Sequence, residues 1–108
     1  MFNSKKKIEF NNEELRIVLY ALNDFRNKLL SENKYADAVN EVIPKLKNKM
    51  KVDKYDLGII INGLDQKRKS MLAANENTSV IDELLLRLLK IDGRNPPAAV
   101  SLRRNGAG

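Results

Sequence analysis

Histidine, cysteine and tryptophan are all absent from this 108-residue chain. Without histidine there is no side chain that ordinarily exchanges a proton near neutral pH, and without cysteine there is no thiolate nucleophile. Together the two absences exclude Ser–His–Asp and Cys–His hydrolases and every ordinary zinc site. The lack of cysteine is compatible with a reducing compartment. Aromatic residues make up only 6% of the chain, so a core has to be built from Leu, Ile, Val and Met. A glycine-rich phosphate loop is missing too: Gly58 and Gly63 are not followed by the Lys and Ser/Thr of a P-loop. No EF-hand spacing occurs. After Met1, Lys5–Lys7 lead into Ile8-Glu9-Phe10 and then at once into Asn11, Asn12, Glu13 and Glu14. That is not the apolar run of a signal peptide, and no stretch reaches the roughly 18 apolar residues of a spanning helix. The expectation is a soluble, cytoplasmic protein with no cofactor and no membrane partner.

What is present is an ordinary globular composition, 43% hydrophobic and 31% charged, in a length that suits one domain. Twenty basic residues face fourteen acidic ones. Lys5, Lys6 and Lys7 lie at one end, and Arg94, Arg103 and Arg104 at the other. Residues 8–93 therefore carry fourteen of each sign and are neutral as a body. A neutral body is not the electrostatic footprint of a surface built around phosphates.

Four segments repeat their apolar residues at helical spacing. The first runs from about Asn12 to Leu30, with Asn11 as N-cap, Glu14 in the capping-box position and Phe10 and Leu15 as staple residues. Leu15, Val18, Leu19, Leu22, Phe25 and Leu29 form its stripe, with Arg26 at the edge. Ile8 and Phe10 alternate ahead of the cap and are placed to lie extended on the core.

The second segment begins near Asn33 and runs toward Met50, with Tyr35, Ala38, Val39, Val42, Ile43, Leu46 and Met50 on one face. Pro44 lies opposite that face, which predicts a kink there, since proline removes the bond to the carbonyl four residues back. A new helix starting at Pro44 is the competing reading.

The third opens on Asp53 as N-cap, with Asp56 three residues on and Val52 and Leu57 as a second staple pair. Its stripe is Leu57, Ile60, Ile61, Leu64, Met71 and Leu72, with Arg68 within it. Gly58 and Gly63 each cost roughly 0.5–1 kcal/mol in a helix, which points to a close contact or a bend. The rival reading, a strand over Leu57–Ile61 turning at Asn62-Gly63, lacks a return strand, because Asp65–Lys69 is wholly polar.

The fourth follows Asn75–Thr78, takes Thr78 or Ser79 as cap, and is terminated by Gly93. Val80, Ile81, Leu84, Leu85, Leu88, Leu89 and Ile91 spread over about half its circumference, with Leu86 outside that arc. So wide an arc predicts a central helix or one that contacts something beyond the bundle.

From Arg94 onward the composition shifts: lysine and isoleucine vanish and every basic residue is arginine. The organisation read from this is a short arm over 1–11, one helical-bundle domain over 12–92, and a flexible tail over 93–108 that suits a vector-derived extension. The lysine-, asparagine- and isoleucine-rich body fits the coding bias of an AT-rich bacterial or phage genome.

Candidate chemistry is thin. The acid pairs Glu13/Glu14, Asp53/Asp56 and Asp82/Glu83 all fall in first helical turns, where carboxylates satisfy free N–H groups and the helix dipole. Lys69-Ser70 is the one formal Ser–Lys pairing. Lys45, Lys47, Lys49, Lys51 and Lys54, joined by Lys67 and Lys69, form the case for nucleic-acid contact, although lysines two apart project around a helix rather than along it. Ile17, Tyr20, Leu30 and Ile59 lie off their helices' stripes.

These observations lead to an all-α antiparallel bundle of about four helices. They favour a non-enzymatic regulatory or adaptor protein that binds a protein partner or itself as a homodimer. The expected interface is Leu85, Leu86 and Leu89 with Ile59 and Tyr20, and nucleic-acid binding is the alternative.

Overall fold

The computed structural model describes residues 7–94. The first six residues and the segment from residue 95 onward, which include most of the expected arm and tail, lie outside the described residues. Four α-helices succeed one another: α1 (Asn12–Ser31), α2 (Asp37–Lys47), α3 (Lys54–Ala73) and α4 (Ser79–Asp92). No strand occurs among the described residues, so residues 57–61 are helical and form no hairpin with residues 65–69.

Two of the four starts are full capping boxes. Asn11 accepts from the Glu14 N–H while the Glu14 carboxylate accepts from the Asn11 N–H, and Asp53 and Asp56 do the same for α3. At α4 the arrangement differs. Thr78 is the N-cap residue, but its hydroxyl turns inward, and Asn77 Oδ1 accepts from the Ser79 N–H and hydroxyl instead.

All four helices end alike. Asn33, Lys49, Asn75 and Gly93 each adopt a positive φ just past the C-cap or at it. In each case the next N–H donates back to the carbonyl five residues earlier: Lys34 to Leu29, Met50 to Lys45, Glu76 to Met71 and Arg94 to Leu89. This is the Schellman motif, which satisfies carbonyls that the helix end leaves open.

These terminations correct the expected second helix at both ends. Asn33 closes α1 and does not open α2, so the chain turns through residues 34–36 before helix resumes at Asp37. Tyr35 is therefore not on a core stripe; it sits in the turn, 92% exposed. At the other end Lys49 stops α2 and leaves Met50 outside it and exposed. Pro44 stays inside α2, so no new helix begins there. Its missing N–H deprives the Asn40 carbonyl of the usual helical partner, the local defect that kinks a helix.

Facing residues fix the directions. Ala21 and Leu22 lie against Gly63, and Asp24 pairs with Lys67 further along, so α1 and α3 run parallel. Arg26 bonds Asn40 while Leu15 and Leu46 share a cavity, so α2 runs antiparallel to α1. Arg68 pairs with Asp82 while Gly58 shares a cleft with Asp92, so α4 runs antiparallel to α3. We call the end that holds the N-termini of α1 and α3 the basal end.

The most extensive helix contact is between α1 and α3, with α2 and α4 packed on opposite sides of that pair. Gly63 makes the approach possible: a Cβ there would stand 3.1 Å from Leu22 Cδ2 and 3.7 Å from the Ala21 carbonyl oxygen. Gly58, by contrast, has nothing within 4 Å of where a Cβ would be, so packing does not explain it. The core comprises Val18 and Leu22, Val39 and Val42, Leu57, Ile60 and Leu64, and Leu84 and Leu88, all fully buried. Because α3 packs on all three other helices and has the largest contact in total, it and not α4 is the central element. Ile8 and Phe10 pack against the core as expected. The arm is further held by Arg87 of α4, which stacks 5.6 Å over the Phe10 ring and reaches Glu14 and the Glu9 carbonyl.

Candidate interaction site

The expected interface residues do not form one surface. Leu85 and Leu89 are 2% and 5% exposed and belong to the core, because the flank of α4 that carries them is filled by α3 and α1. They are not a partner face, which corrects the reading of the wide arc. Leu86 is half-buried. Ile59 is half-buried too, on the α3 face that meets the end of α4. Tyr20 alone of the set stands well out, at 62%.

Tyr20 meets Ile17, which also lay off the α1 stripe, and residues of two other helices. With Ile17 of α1, Met71 of α3 and Val80 and Ile81 of α4 it lines a groove of about 410 Å³. Val80 is 44% exposed, so two large apolar side chains from different helices border one depression. Ile81 is buried and serves as floor. Ile17 and Met71 are partly buried and pack on the core behind it. The one ionised side chain in the lining, Lys67, is neutralised by Asp24 at 2.9 Å. Periodicity could not find this groove, because its members come one or two from each helix and meet only once the helices are docked.

The lysines divide between the two ends. Lys47, Lys49, Lys51 and Lys54 are exposed at the basal end and make no ion pair among the described residues. Lys45, two residues before Lys47 on α2, is engaged: its ammonium bonds Asp56 Oδ2 at 2.8 Å. That bond, aided by the charge of Asp56, holds the Lys45 pKa above its usual range. Lys67 and Lys69 lie about 20 Å further along α3 at the helical rise of about 1.5 Å per residue, and both are paired, with Asp24 and Asp65. Antiparallel pairing of α2 and α3 thus separates the two groups of lysines.

The acids occupy structural positions for the most part. Glu14 and Asp53 close capping boxes, and Asp56 does so while also holding Lys45. Asp82 departs from the expected role. Its Oδ1 accepts from Arg68 Nε at 2.7 Å and its Oδ2 from the Thr78 hydroxyl at 3.0 Å, with all three residues buried. An arginine inside an apolar stripe was the visible sign of this pair, although its partner could not be read from spacing. Lys69 beside Ser70 is tied to Asp65 on an exposed face, which gives a Ser–Lys dyad no enclosure. Among the described residues no group of three acids could hold a metal ion, and no helix is long and apolar enough to cross a membrane.

The fold and its surface define a small all-α protein, a four-helix bundle with a buried charge pair and an apolar groove at the seam of α1 and α4. Comparison with protein-family models, with curated proteins and with solved structures found no match.

Proposed function

We propose that the protein is a non-enzymatic interaction module that pairs with a second copy of itself through the α1–α4 groove. The observation that carries this reading is the meeting of Tyr20 and Val80, both exposed, at one apolar depression floored by Ile81. A protruding tyrosine beside a hollow is self-complementary under two-fold symmetry, the arrangement that an isologous dimer requires. Tyrosine is also among the residues that most often anchor interfaces, since it buries a large rigid surface at small entropic cost. Charge favours this face over the basal one. The groove's single cation is already neutralised, whereas two basal ends would bring four unpaired lysines of each copy together.

The test is the solution mass of the whole chain by size exclusion with light scattering over a concentration series. The wild type should dimerise, and Tyr20→Glu and Val80→Glu should each remain monomeric with unchanged helical content. A monomeric wild type at the highest concentration overturns the reading.

Nucleic-acid binding has one observation in its favour, the exposed basal lysines Lys47, Lys49, Lys51 and Lys54. Contacts of that kind give salt-sensitive binding without sequence preference. Replacing the four with glutamine should then flatten the salt dependence of DNA or RNA affinity, and unaltered affinity would count against it.

A further inference from the structure

The connection between α2 and α3 gathers charge that the body as a whole balances. Residues 47–55 read Lys-Asn-Lys-Met-Lys-Val-Asp-Lys-Tyr and turn around the basal end of the bundle. The acids of this turn are engaged: Asp53 and Asp56 close the capping box of α3, and Asp56 also holds Lys45. Lys47, Lys49, Lys51 and Lys54 are all exposed and make no ion pair among the described residues. Lys7, exposed as well, joins them from the arm through a cavity that it shares with Lys49. The exposed acids at that end, Glu9 and Glu13, are outnumbered. A body neutral in total thus carries a basic face at one end, the pattern that draws a protein to an anionic surface.

Met50 and Tyr55 decide which anionic surface fits. Met50 follows the left-handed turn at Lys49 and is 53% exposed, and Tyr55, in the first turn of α3, is 69% exposed. Two large apolar side chains therefore stand out among the lysines. Next to Met50 a cavity of about 150 Å³ is walled by Ile8, Phe10 and Leu15, all only partly buried, with Lys7 and Lys49 also lining it. An apolar cavity of about that volume takes a benzene-sized group. The phosphates of a nucleic acid gain nothing from an exposed methionine or an apolar hollow. In a bilayer, by contrast, apolar side chains enter the acyl region, tyrosine settles at the headgroups and lysine ammoniums meet the lipid phosphates. A single weak anchor gives only marginal attachment, and this face combines two, charge and apolar insertion.

We infer that the basal face docks reversibly on a membrane rich in anionic phospholipid, with Met50 inserted, Tyr55 at the headgroup level and the surrounding lysines on the phosphates. The expectation of no membrane partner rested on the lack of a long apolar run, which a peripheral contact does not need. The face lies away from the Tyr20–Val80 groove, and the inference stands whether or not the chain dimerises.

The experiment is co-sedimentation of the full chain with vesicles of phosphatidylcholine alone and of phosphatidylcholine mixed equally with phosphatidylglycerol, beside binding to a duplex oligonucleotide. The wild type should sediment with the anionic vesicles, not the neutral ones, and less so as salt is added. Replacing Lys47, Lys49, Lys51 and Lys54 together with glutamine should lower vesicle affinity by more than about a hundredfold, at about fivefold per lysine. The same replacement at Lys28, Lys34, Lys67 and Lys69, which are ion-paired and lie toward the opposite end, removes equal charge and should cost less than about threefold. Met50→Ser should weaken vesicle binding by about tenfold. Because the chain has no tryptophan, Met50→Trp supplies a single fluorescent reporter, whose emission should shift to the blue on anionic vesicles. All these side chains are exposed or on the surface, and circular dichroism should show unchanged helices in each variant. No binding to anionic vesicles, equal binding to neutral ones, equal losses from the two lysine sets, or no blue shift would each overturn the inference. Tighter binding to the duplex than to the vesicles, unmoved by Met50→Ser, would overturn it in favour of nucleic acid.

Discussion

Arg68 and Asp82 supply the sharpest test of how this bundle is held together. Their side chains are 6% and 7% exposed, the Nε–Oδ1 distance is 2.7 Å, and the fully buried Thr78 hydroxyl takes the other carboxylate oxygen. Replacing Asp82 with leucine removes the counter-charge but leaves the guanidinium in place among core residues. Breaking such a buried pair from one side costs about 3–5 kcal/mol, because an uncompensated charge stays out of water. Arg68→Met should lose stability too, though less, since Thr78 still donates to the stranded carboxylate. The double variant Arg68→Met/Asp82→Leu removes both charges and restores apolar volume, so it should recover most of the loss and stay below wild type by about 1–3 kcal/mol, the cost of leaving the buried Thr78 hydroxyl without its acceptor. Urea unfolding monitored by circular dichroism measures all four proteins. At a slope of about 1–1.5 kcal/mol per molar for a chain of this size, the Asp82→Leu midpoint should fall by about 2–5 M. That loss approaches the whole stability of a small domain, about 5–15 kcal/mol. The reasoning is refuted if the two single losses simply add in the double variant. It is equally refuted if Asp82→Leu costs under about 1 kcal/mol, the range of pairs that water already screens.

The two glycines of α3 should respond oppositely to alanine. Gly58→Ala gains helix propensity in open space and should raise stability by about 0.5–1 kcal/mol, whereas Gly63→Ala sets the same gain against a Cβ 3.1 Å from the fully buried Leu22 and should show no gain. Equal urea midpoints for the two variants would contradict this account of the α1–α3 contact. Lys45 makes a pH prediction. Its folded pKa is raised above 10.5 by the bond to Asp56, so its contribution is fully present below the unfolded value and is lost as pH rises through the folded one. The difference in urea midpoint between wild type and Lys45→Met should therefore be constant to about pH 10 and shrink above it; a constant difference at higher pH would exclude the ion pair as its source.

The starts of α1 and α3 were legible because their chemistry is local. Asn11 with Glu14 and Asp53 with Asp56 lie three residues apart, and each capping box needs nothing from the rest of the fold. Among the stops only Gly93 was legible from its own chemistry, although α1 ends at Ser31, one residue past the expected Leu30. Asn33, Lys49 and Asn75 use the same left-handed turn, but neither asparagine nor lysine demands it as glycine does. The apolar phase of Tyr35 and Met50 consequently carried the expected second helix past both of its true ends. Tyr35 matched the stripe by spacing alone, and spacing does not report whether the backbone between two matching residues is helical. Lys49 is the least expected of the four terminators, since a side chain other than glycine or asparagine resists that conformation.

The candidate site was harder to read for a related reason. The width of an apolar arc reports how much of a helix is covered, not what covers it. On α4, seven apolar residues over half the circumference suggested a surplus, yet α3 and α1 together bury Leu85 and Leu89 and leave Val80 at the rim. On α3, the helix that is central, the stripe is interrupted by Gly63 and Arg68. Each interruption marks a neighbour: the glycine admits α1, and the arginine meets Asp82 of α4. In this chain, then, the residues that broke the pattern of a helix said more about its position than those that kept it. Tyr20 follows the same pattern: it lay off the α1 stripe and stands at the rim of the groove, whose other walls come from α3 and α4.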